Sequence, residues 1–370
     1  MMEDRAKAYE SIHNRIFLFE ILLVLAFLVL FIVSGASWRL SAYIQSYCPN
    51  IGIKIYIYVV YFALIYLIIT FPLSVYGGFI VERRFGLSTQ TFFRWLWDHI
   101  KAFLLGLAIS LAAVEAVYFF LRASPRYWWL WGAFFWIAGG VVLARVAPKL
   151  IIPIFFKLDP VEDEGLVERL RVLAGKAGAA VKNVYSFDLS SKSRKANAAV
   201  AGLGSSKRII LSDTLIGEYS PDEIEAVLAH ELGHYAGGHL MKRMIVSSVL
   251  TVCAFYAAGK VMPFLAGAAG MDSIADIASL PIFALVLFVF GLLILPLENA
   301  YSRRLETAAD AFSLEVAGRP EAFISAMEKL ADQNLVRREP NKVIEFILHG
   351  HPSISNRIKM AKEYMKECSD

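Results

Sequence analysis

The chain has 370 residues, 57% of them hydrophobic, and a formal net charge of +4. Soluble globular domains contain about 45–50% apolar residues, so an excess that falls in long runs predicts a polytopic membrane protein. No basic stripe interleaves with aromatic residues in a polar segment, which argues against a nucleic-acid partner, and three scattered cysteines exclude a disulfide framework.

Six apolar segments are long enough, at about 20 residues each, to cross a bilayer as helices. They cover approximately residues 16–34, 55–79, 102–121, 127–146, 244–263 and 280–297. The predicted fold is mainly α, with four spans in an N-terminal membrane region at 1–147 and two more within a second region at 148–370. Loops on the side of the N-terminus are richer in Lys and Arg than the alternate loops. The positive-inside rule therefore predicts a multi-pass protein with both termini and the polar segment before span five in the cytoplasm.

That polar segment predicts a small β-sheet and two helices. Helical periodicity covers residues 161–177, and strand patterns cover 184–189, 198–203 and 208–211. Gly204, Ser205 and Ser206 suit a hairpin connection between the last two strands.

A second helix has a well-marked start at Ser220. Ser220 can cap the helix, Pro221 suits its first position, and Glu223 completes a capping box. From there the helical pattern continues without interruption into span five.

This helix carries the motif His-Glu-Leu-Gly-His at residues 230–234. The spacing places His230 and His234 one turn apart on one helix face, where both can bind a single Zn²⁺, and Glu231 can then act as general base. A catalytic zinc site normally takes three protein ligands, so a third ligand is required.

Three residues are candidates for the third ligand. Helix geometry favours Glu306. Span six ends about nine residues before Glu306, and span five begins about ten residues after His234. At a rise of about 1.5 Å per residue, both side chains therefore stand at the same height above the same bilayer face. Glu298, at the membrane boundary, is too low by the same measure. His239 lies about half a turn off the face of the two histidines on an unbroken helix. It could bind the metal only if the helix breaks at Gly237 and Gly238, and we interpret it as a polar residue on the other face.

Asp310 lies four residues after Glu306 and shares its helix face. Its carboxylate could accept the free ring N–H of a ligating histidine, although an exposed surface role suits the spacing equally well.

Seven separated motifs resemble the type I CaaX prenyl proteases, an integral-membrane gluzincin family, in the order of that family and over most of the chain from Gly86 to the end. They are FGLSTQT (85–91), PIFFKLDPVED (153–163), KANAAVAG (195–202), KRIILSDTLI (207–216), EIEAVLAHELGHYAGGH (223–239), NAYSRRLETAADAF (299–312) and HPSISNR (351–357).

The resemblance implies a membrane zinc metalloendopeptidase with one Zn²⁺ per chain. It implies His230, His234 and Glu306 as ligands, Glu231 as the base and Asp310 as support for a histidine ligand. It further implies His351 and Arg357 as transition-state or substrate contacts, and Asn197 and Ala198 in the strand that binds extended substrate. The family typically has seven spans, and the missing one would lie near residues 37–54, which are too polar and short to supply it.

The sequence also indicates the partners of the protein and leaves two alternative functional classes open. The expected partners are membrane lipids and a polypeptide substrate, which the family name implies is prenylated at its C-terminus. Heat-shock-type membrane quality-control peptidases are the alternative within the same clan. A metal transporter or channel is the alternative outside it, but the motif lies outside the lipid and Glu231 has no transport role.

Overall fold

The structure is a computed structural model that describes residues 2–179, 181, 183–201 and 208–368. The predicted hairpin at 204–206 and the end of the strand predicted at 198–203 lie outside the described residues.

Six helices in the described part of the chain are long and apolar enough to cross a membrane, which confirms the predicted number of spans. They are Met2–Val33, Ile51–Arg84, Phe92–Ala123, Trp128–Phe155, His239–Ala268 and Ile277–Ala317. Each is longer than its predicted span, because helical structure continues into polar sequence beyond the apolar run.

The N-terminal region contains seven helical segments. They are α1 (Met2–Val33), α2 (Ala36–Tyr47), α3 (Ile51–Val75), α4 (Glu82–Arg84), α5 (Phe92–Ala123), α6 (Trp128–Val146) and α7 (Ile152–Phe155). Wider π-helical turns at Tyr76–Val81 and Ala147–Ile151 join α3 to α4 and α6 to α7. Pro148 lies in the second of these turns, and because proline has no N–H to donate it favours such a shift of register.

Helix α2 fills the region that the sequence left without a span. It has 12 residues and would extend about 18 Å, which is too short for a bilayer core of about 30 Å. Ser37 Oγ lies 2.6 Å from Tyr58 Oη and donates to the backbone oxygen of Ala278 at 2.5 Å, while Ser41 Oγ donates to Asp276 at 2.8 Å. These bonds attach α2 to α3 and to the turn before the last long helix.

The second region combines eight helices with one small sheet. The helices are α8 (Glu164–Lys176), α9 (Asp213–Glu218), α10 (Pro221–Ala236), α11 (His239–Ala268), α12 (Leu280–Ala317), α13 (Pro320–Gln333), α14 (Lys342–Leu348) and α15 (Ile354–Glu367). The strands are β1 (Leu158–Pro160), β2 (Asn183–Phe187), β3 (Ala198–Ala201) and β4 (Arg208–Ser212). Strand β1 was not predicted, because its three residues carry no alternating pattern.

The sheet order is β1-β2-β4-β3, so β3 is an edge strand of the described sheet. It pairs antiparallel to β4, with Ala198 opposite Leu211 and Val200 opposite Ile209. Leu211, Ile209, Leu215, Ile224 and Leu228 belong to the buried core that joins the sheet to α10.

Helix α10 begins as the sequence predicts and ends earlier. Ser220 and Glu223 form the capping box, with each side chain accepting the other residue's backbone N–H. The prediction of one continuous helix into span five is wrong. Helix α10 ends at Ala236, Gly238 adopts a left-handed conformation with φ of 61°, and α11 starts at His239.

Helices α10 and α12 pack closely where the His-Glu-Leu-Gly-His motif lies. A Cβ built on Gly233 would lie 3.0 Å from both Cα and O of Ala309 and 3.2 Å from Cβ of Phe312. Ser313 Oγ also donates to the backbone oxygen of Ala226 at 2.8 Å. The glycine of the motif therefore lets the two helix backbones approach closely enough for their polar side chains to meet.

Candidate metal centre and substrate cleft

His230, His234 and Glu306 converge from α10 and α12. His230 Nε2 lies 3.2 Å from His234 Nε2 and 3.2 Å from Glu306 Oε2, and His234 Nε2 lies 3.5 Å from the same oxygen. Of the His, Cys, Asp and Glu residues that the structure describes, these three form the one group of three or more with ligand atoms close enough to share a cation. The helix-height argument for Glu306 and the arrangement in the structure agree.

The geometry and chemistry of this group fit Zn²⁺. Zinc binds imidazole nitrogen and carboxylate oxygen at about 2.0–2.2 Å, so two ligand atoms of a tetrahedral site are about 3.3–3.6 Å apart. The three observed separations, 3.2, 3.2 and 3.5 Å, fall at or near that range. Glu306 Oε2 is buried, and no described side chain donates it a hydrogen bond of acceptable angle although imidazole nitrogens surround it. The lone pairs of these nitrogen and oxygen atoms converge on one point without a hydrogen-bond donor, which is the arrangement expected of a cation-binding site.

Asp310 orients His230. Its Oδ1 lies 2.7 Å from His230 Nδ1, and its side chain is 1% exposed. A proton held on Nδ1 by this carboxylate leaves the Nε2 lone pair directed at the other ligand atoms. The alternative of an exposed surface role for Asp310 is wrong, because the residue is fully buried.

Arg357 contacts both carboxylate oxygens of Asp310 through one edge of its guanidinium. Nε donates to Oδ2 at 2.8 Å and Nη2 donates to Oδ1 at 2.5 Å. This two-point pairing balances the charge of the buried carboxylate. Arg357 therefore reaches the metal group through Asp310 and His230, and it also lines the adjoining cleft.

The carboxylates favour positive charge at the metal group. Burial alone would lower the pKa of His230, but the carboxylates of Asp310 and Glu306 beside its two ring nitrogens raise it to about 9. Burial also raises the pKa of Glu231 above the usual value of a glutamate, and the neighbouring imidazoles oppose this effect only in part. An environment that stabilises a proton on an imidazole between two carboxylates also stabilises a divalent cation there.

Asp310→Asn is expected to lower both zinc affinity and stability. The amide cannot balance the charge of Arg357, whose side chain is 10% exposed, and uncompensated buried charges cost about 3–5 kcal/mol. The loss of the partner of His230 should also weaken zinc binding by about 10–100-fold. Chelator competition and the thermal midpoint of unfolding measure the two effects. Asp332→Asn is the matched control, because its ion pair with Arg338 is 45% and 39% exposed and should contribute little. Equal losses in both variants would contradict the assignment.

Glu231 and His351 face a cleft beside the metal group. A cavity of about 520 Å³ is lined by His230, Glu231, His351, Arg357, Asn197 and Ala198, among others. The His351 side chain is 65% exposed, and its Nδ1 lies 2.8 Å from Glu306 Oε2. Glu231, His351, Arg357 and Asn197 therefore share one cleft with His230, and the cleft is open to solvent at His351.

Strand β3 forms one wall of this cleft with a free edge. Asn197 exchanges two hydrogen bonds with Ser212, from its N to Ser212 Oγ at 3.0 Å and from Ser212 N to its O at 2.9 Å. Since bonded and non-bonded positions alternate in an antiparallel pair, the backbone groups of Ala198 and Val200 point to the free edge. The backbone of Ala196 is already bonded to the side chain of Asn334, at 3.0 and 3.4 Å. An added strand could therefore pair from Ala198 onward.

The amino-terminal end of α1 reaches the same cleft, which the sequence did not predict. Glu10 lies 3.1 Å from Arg337 and 3.5 Å from His349, two residues that line the cavity. Lys195, just before β3, pairs with Glu82 at 3.0 Å, and Glu82 accepts a hydrogen bond from Tyr9. Glu10 lies more than 300 residues before Arg337 and His349 in the sequence, so no local sequence pattern indicates these contacts.

The other two candidate ligands, Glu298 and His239, lie outside the metal group. Glu298 is exposed on α12. The interpretation of His239 as a polar residue on the other face of a continuous helix is wrong. The helix breaks at Gly237 and Gly238, and this break turns His239 back toward His234. The sequence signal for this position is that His239 directly follows two glycines, where a helix can break.

Family models match nearly the whole chain. Residues 160–365 match peptidase family M48, and residues 3–157 match the CAAX prenyl protease N-terminal region, described as five membrane helices. The described part of residues 3–157 has five helices of 12 or more residues, of which α2 is the one too short to span.

Individual relatives give the same result. A CAAX prenyl protease 1 homolog of Arabidopsis thaliana is 30% identical over 78% of this chain and 68% of its own length. An uncharacterized metalloprotease, YhfN, of Bacillus subtilis is 26% identical over 97% of this chain and 85% of its own. The crystal structure of S. mikatae Ste24p has a TM-score of 0.85 at 23% identity, covering 97% of this chain and 88% of that one, which shows the fold.

Proposed function

Because the chain belongs to peptidase family M48 and is a membrane metalloprotease, we propose that it uses one Zn²⁺ to hydrolyse peptide bonds in membrane-associated or prenylated polypeptides. The observation that carries this proposal is the convergence of His230, His234 and Glu306 at a cleft that also contains Glu231 and the free edge of β3. Residues 1–147 would form the membrane region, and residues 148–370 the peptidase region with the last two spans.

His230, His234 and Glu306 hold the zinc in this proposal. When bound, zinc acts as a Lewis acid on the scissile carbonyl and on a water molecule. Asp310 keeps the His230 proton on Nδ1, and Arg357 keeps Asp310 ionised and in place. Arg357 is thus a positioning residue for the metal group, which refines the expectation that it contacts substrate directly.

Glu231 is the general base. It accepts a proton from the attacking water and returns it to the leaving amine nitrogen. Burial, which raises its pKa, makes the carboxylate a stronger base than an exposed glutamate. His351 is exposed in the cleft beside Glu306 and would donate a hydrogen bond to the carbonyl oxygen as negative charge develops on it.

The substrate chain would add to the sheet along β3. The free backbone groups of Ala198 and Val200 would bind an extended peptide, and Asn197 would contact it at the start of the strand. Because β3, Glu231 and His351 line one cavity, a peptide held on this edge passes across the metal group.

The membrane setting supports a substrate that is itself attached to lipid. The positive-inside pattern favours a cytoplasmic active site and cytoplasmic termini, where prenylated C-termini occur. Several relatives are named CAAX prenyl protease 1, whereas the bacterial relative that matches 97% of the chain carries no such name. Quality control of membrane proteins is therefore kept as the second candidate function. A transporter or channel receives no support from either region.

Cleavage-site mapping tests the substrate class. We expect the purified protein in lipid vesicles to cut peptides ending in a CaaX sequence, and to cut the farnesylated form with the higher kcat/KM. Mass spectrometry of the products gives the scissile bonds, and the Glu231→Gln variant is the blank. Equal rates with and without the farnesyl group, and cuts scattered over unrelated peptides, would contradict prenyl-protein processing and favour the quality-control function.

A further inference from the structure

His239 contacts the zinc-binding group without belonging to it. It is the first residue of α11 and is 4% exposed. Its Nδ1 lies 2.9 Å from Nδ1 of His234, and the two rings are nearly perpendicular, at 74°. His234 directs its other ring nitrogen, Nε2, toward His230 and Glu306. His239 therefore bears the same relation to His234 that Asp310 bears to His230.

The contact fixes the proton positions on both rings. To offer a lone pair from Nε2, His234 must carry its proton on Nδ1. That N–H then donates to His239 Nδ1, which must accept, so the proton of His239 is on Nε2. Without this acceptor, His234 could rotate or take the tautomer that presents N–H to the metal group.

The local sequence places the ring in this position. Gly238 adopts φ of 61°, a conformation that glycine allows at no steric cost, and this reverses the chain after α10. A Cβ on Gly237 would lie 2.3 Å from His239 Nε2 and 2.7 Å from its Cδ2. The Gly-Gly-His sequence thus provides both the break in the helix and the space for the imidazole.

We propose that His239 is a positioning residue for the zinc ligand His234, holding its tautomer and ring orientation through the Nδ1–Nδ1 hydrogen bond. The inference rests on the proposed zinc site. It gives the two histidine ligands unequal partners, because His230 is bonded to a carboxylate and His234 to a neutral imidazole.

Zinc affinity of the purified full-length protein in detergent tests the role without measuring catalysis. Zn²⁺ is titrated against a chromophoric chelator, and the visible absorption of the Co²⁺-substituted protein reports ligand geometry. We expect His239→Ala to weaken zinc binding by about 10–100-fold, the range for partners of ligating histidines, and to alter the Co²⁺ spectrum. Asn places its side-chain oxygen near the position of Nδ1, so His239→Asn should restore most of the affinity and the spectrum.

Gly237→Ala provides a second route to the same result. Alanine suits the backbone of Gly237, whose φ is −72° and ψ is −6°, but its methyl group must displace the His239 ring. This variant should therefore lose zinc affinity as His239→Ala does. Gly217→Ala is the matched control, since a Cβ there meets nothing within 4 Å.

The outcomes separate this inference from the proposed function. If the unaltered protein binds no zinc, the proposed zinc site fails. If it binds one zinc and His239→Ala and Gly237→Ala bind with the same affinity, the positioning role is overturned. A lower melting temperature with unchanged affinity and Co²⁺ spectrum would assign His239 to packing alone, and would also overturn it.

Discussion

Glu231→Gln is expected to abolish most peptide hydrolysis while leaving zinc in place. The carboxylate lines the cleft beside His230 but is not among the three converging ligand atoms, so its loss should not release the metal. Glutamine keeps the size and polarity of the side chain but cannot accept the proton of the attacking water. Loss of a general base lowers the rate by about 10²–10⁴-fold. Zinc content by mass spectrometry and kcat/KM on a quenched peptide measure the two properties.

Glu298→Gln is the matched control for this experiment. Glu298 is exposed on α12 and lies outside the metal group, so neither zinc content nor rate should change. Hydrolysis retained by Glu231→Gln at the level of the control would remove Glu231 from the base role. Loss of zinc in Glu231→Gln would show that the carboxylate also supports the ligands, and the rate could not then be assigned to proton transfer.

Features that depend on neighbouring residues could be predicted from the sequence. The six long apolar helices follow from local composition, and the capping box at Ser220 and Glu223 follows from residue types three positions apart. The meeting of Glu306 with the two histidines also followed, because helix rise fixes how far each residue stands from the bilayer. That argument needs only the distances of His234 and Glu306 from their spans.

The break between α10 and α11 could not be predicted by periodicity. The apolar pattern continues through it, and two glycines in a helix cost only about 1 kcal/mol each, so neither forces an end. The left-handed conformation at Gly238 depends on where α11 must enter the bundle, which is set by its packing against α6 and α12. The position of His239 follows from that packing.

Pairings between distant parts of the chain were also beyond the sequence. Arg357 was identified by its motif, but its two bonds to Asp310 join residues 47 positions apart on separate helices. The contacts of Glu10 with Arg337 and His349 span most of the chain. Such pairs depend on how α1, α12 and α15 are arranged around the cleft, and one sequence contains no direct record of that arrangement.

Glu306→Ala is expected to remove zinc and, with it, hydrolysis. The change deletes the one ligand contributed by α12 and leaves His230 and His234 as the only members of the group. The loss of zinc affinity should exceed the roughly 10–100-fold that follows removal of a partner of a ligating histidine, because a direct metal bond is lost. Chelator competition measures affinity, and the quenched peptide measures rate with and without excess Zn²⁺. Glu298→Ala, from an exposed position on the same helix, is the matched control.

The response to excess Zn²⁺ distinguishes loss of a ligand from misfolding. If Glu306 is a ligand, the variant should keep its helical content. It should also regain part of its zinc at high metal concentration, because His230 Nε2 and His234 Nε2 remain 3.2 Å apart on α10. Unchanged zinc affinity in Glu306→Ala would contradict the assignment. The third ligand would then be sought at His239, which the break at Gly238 already turns toward His234.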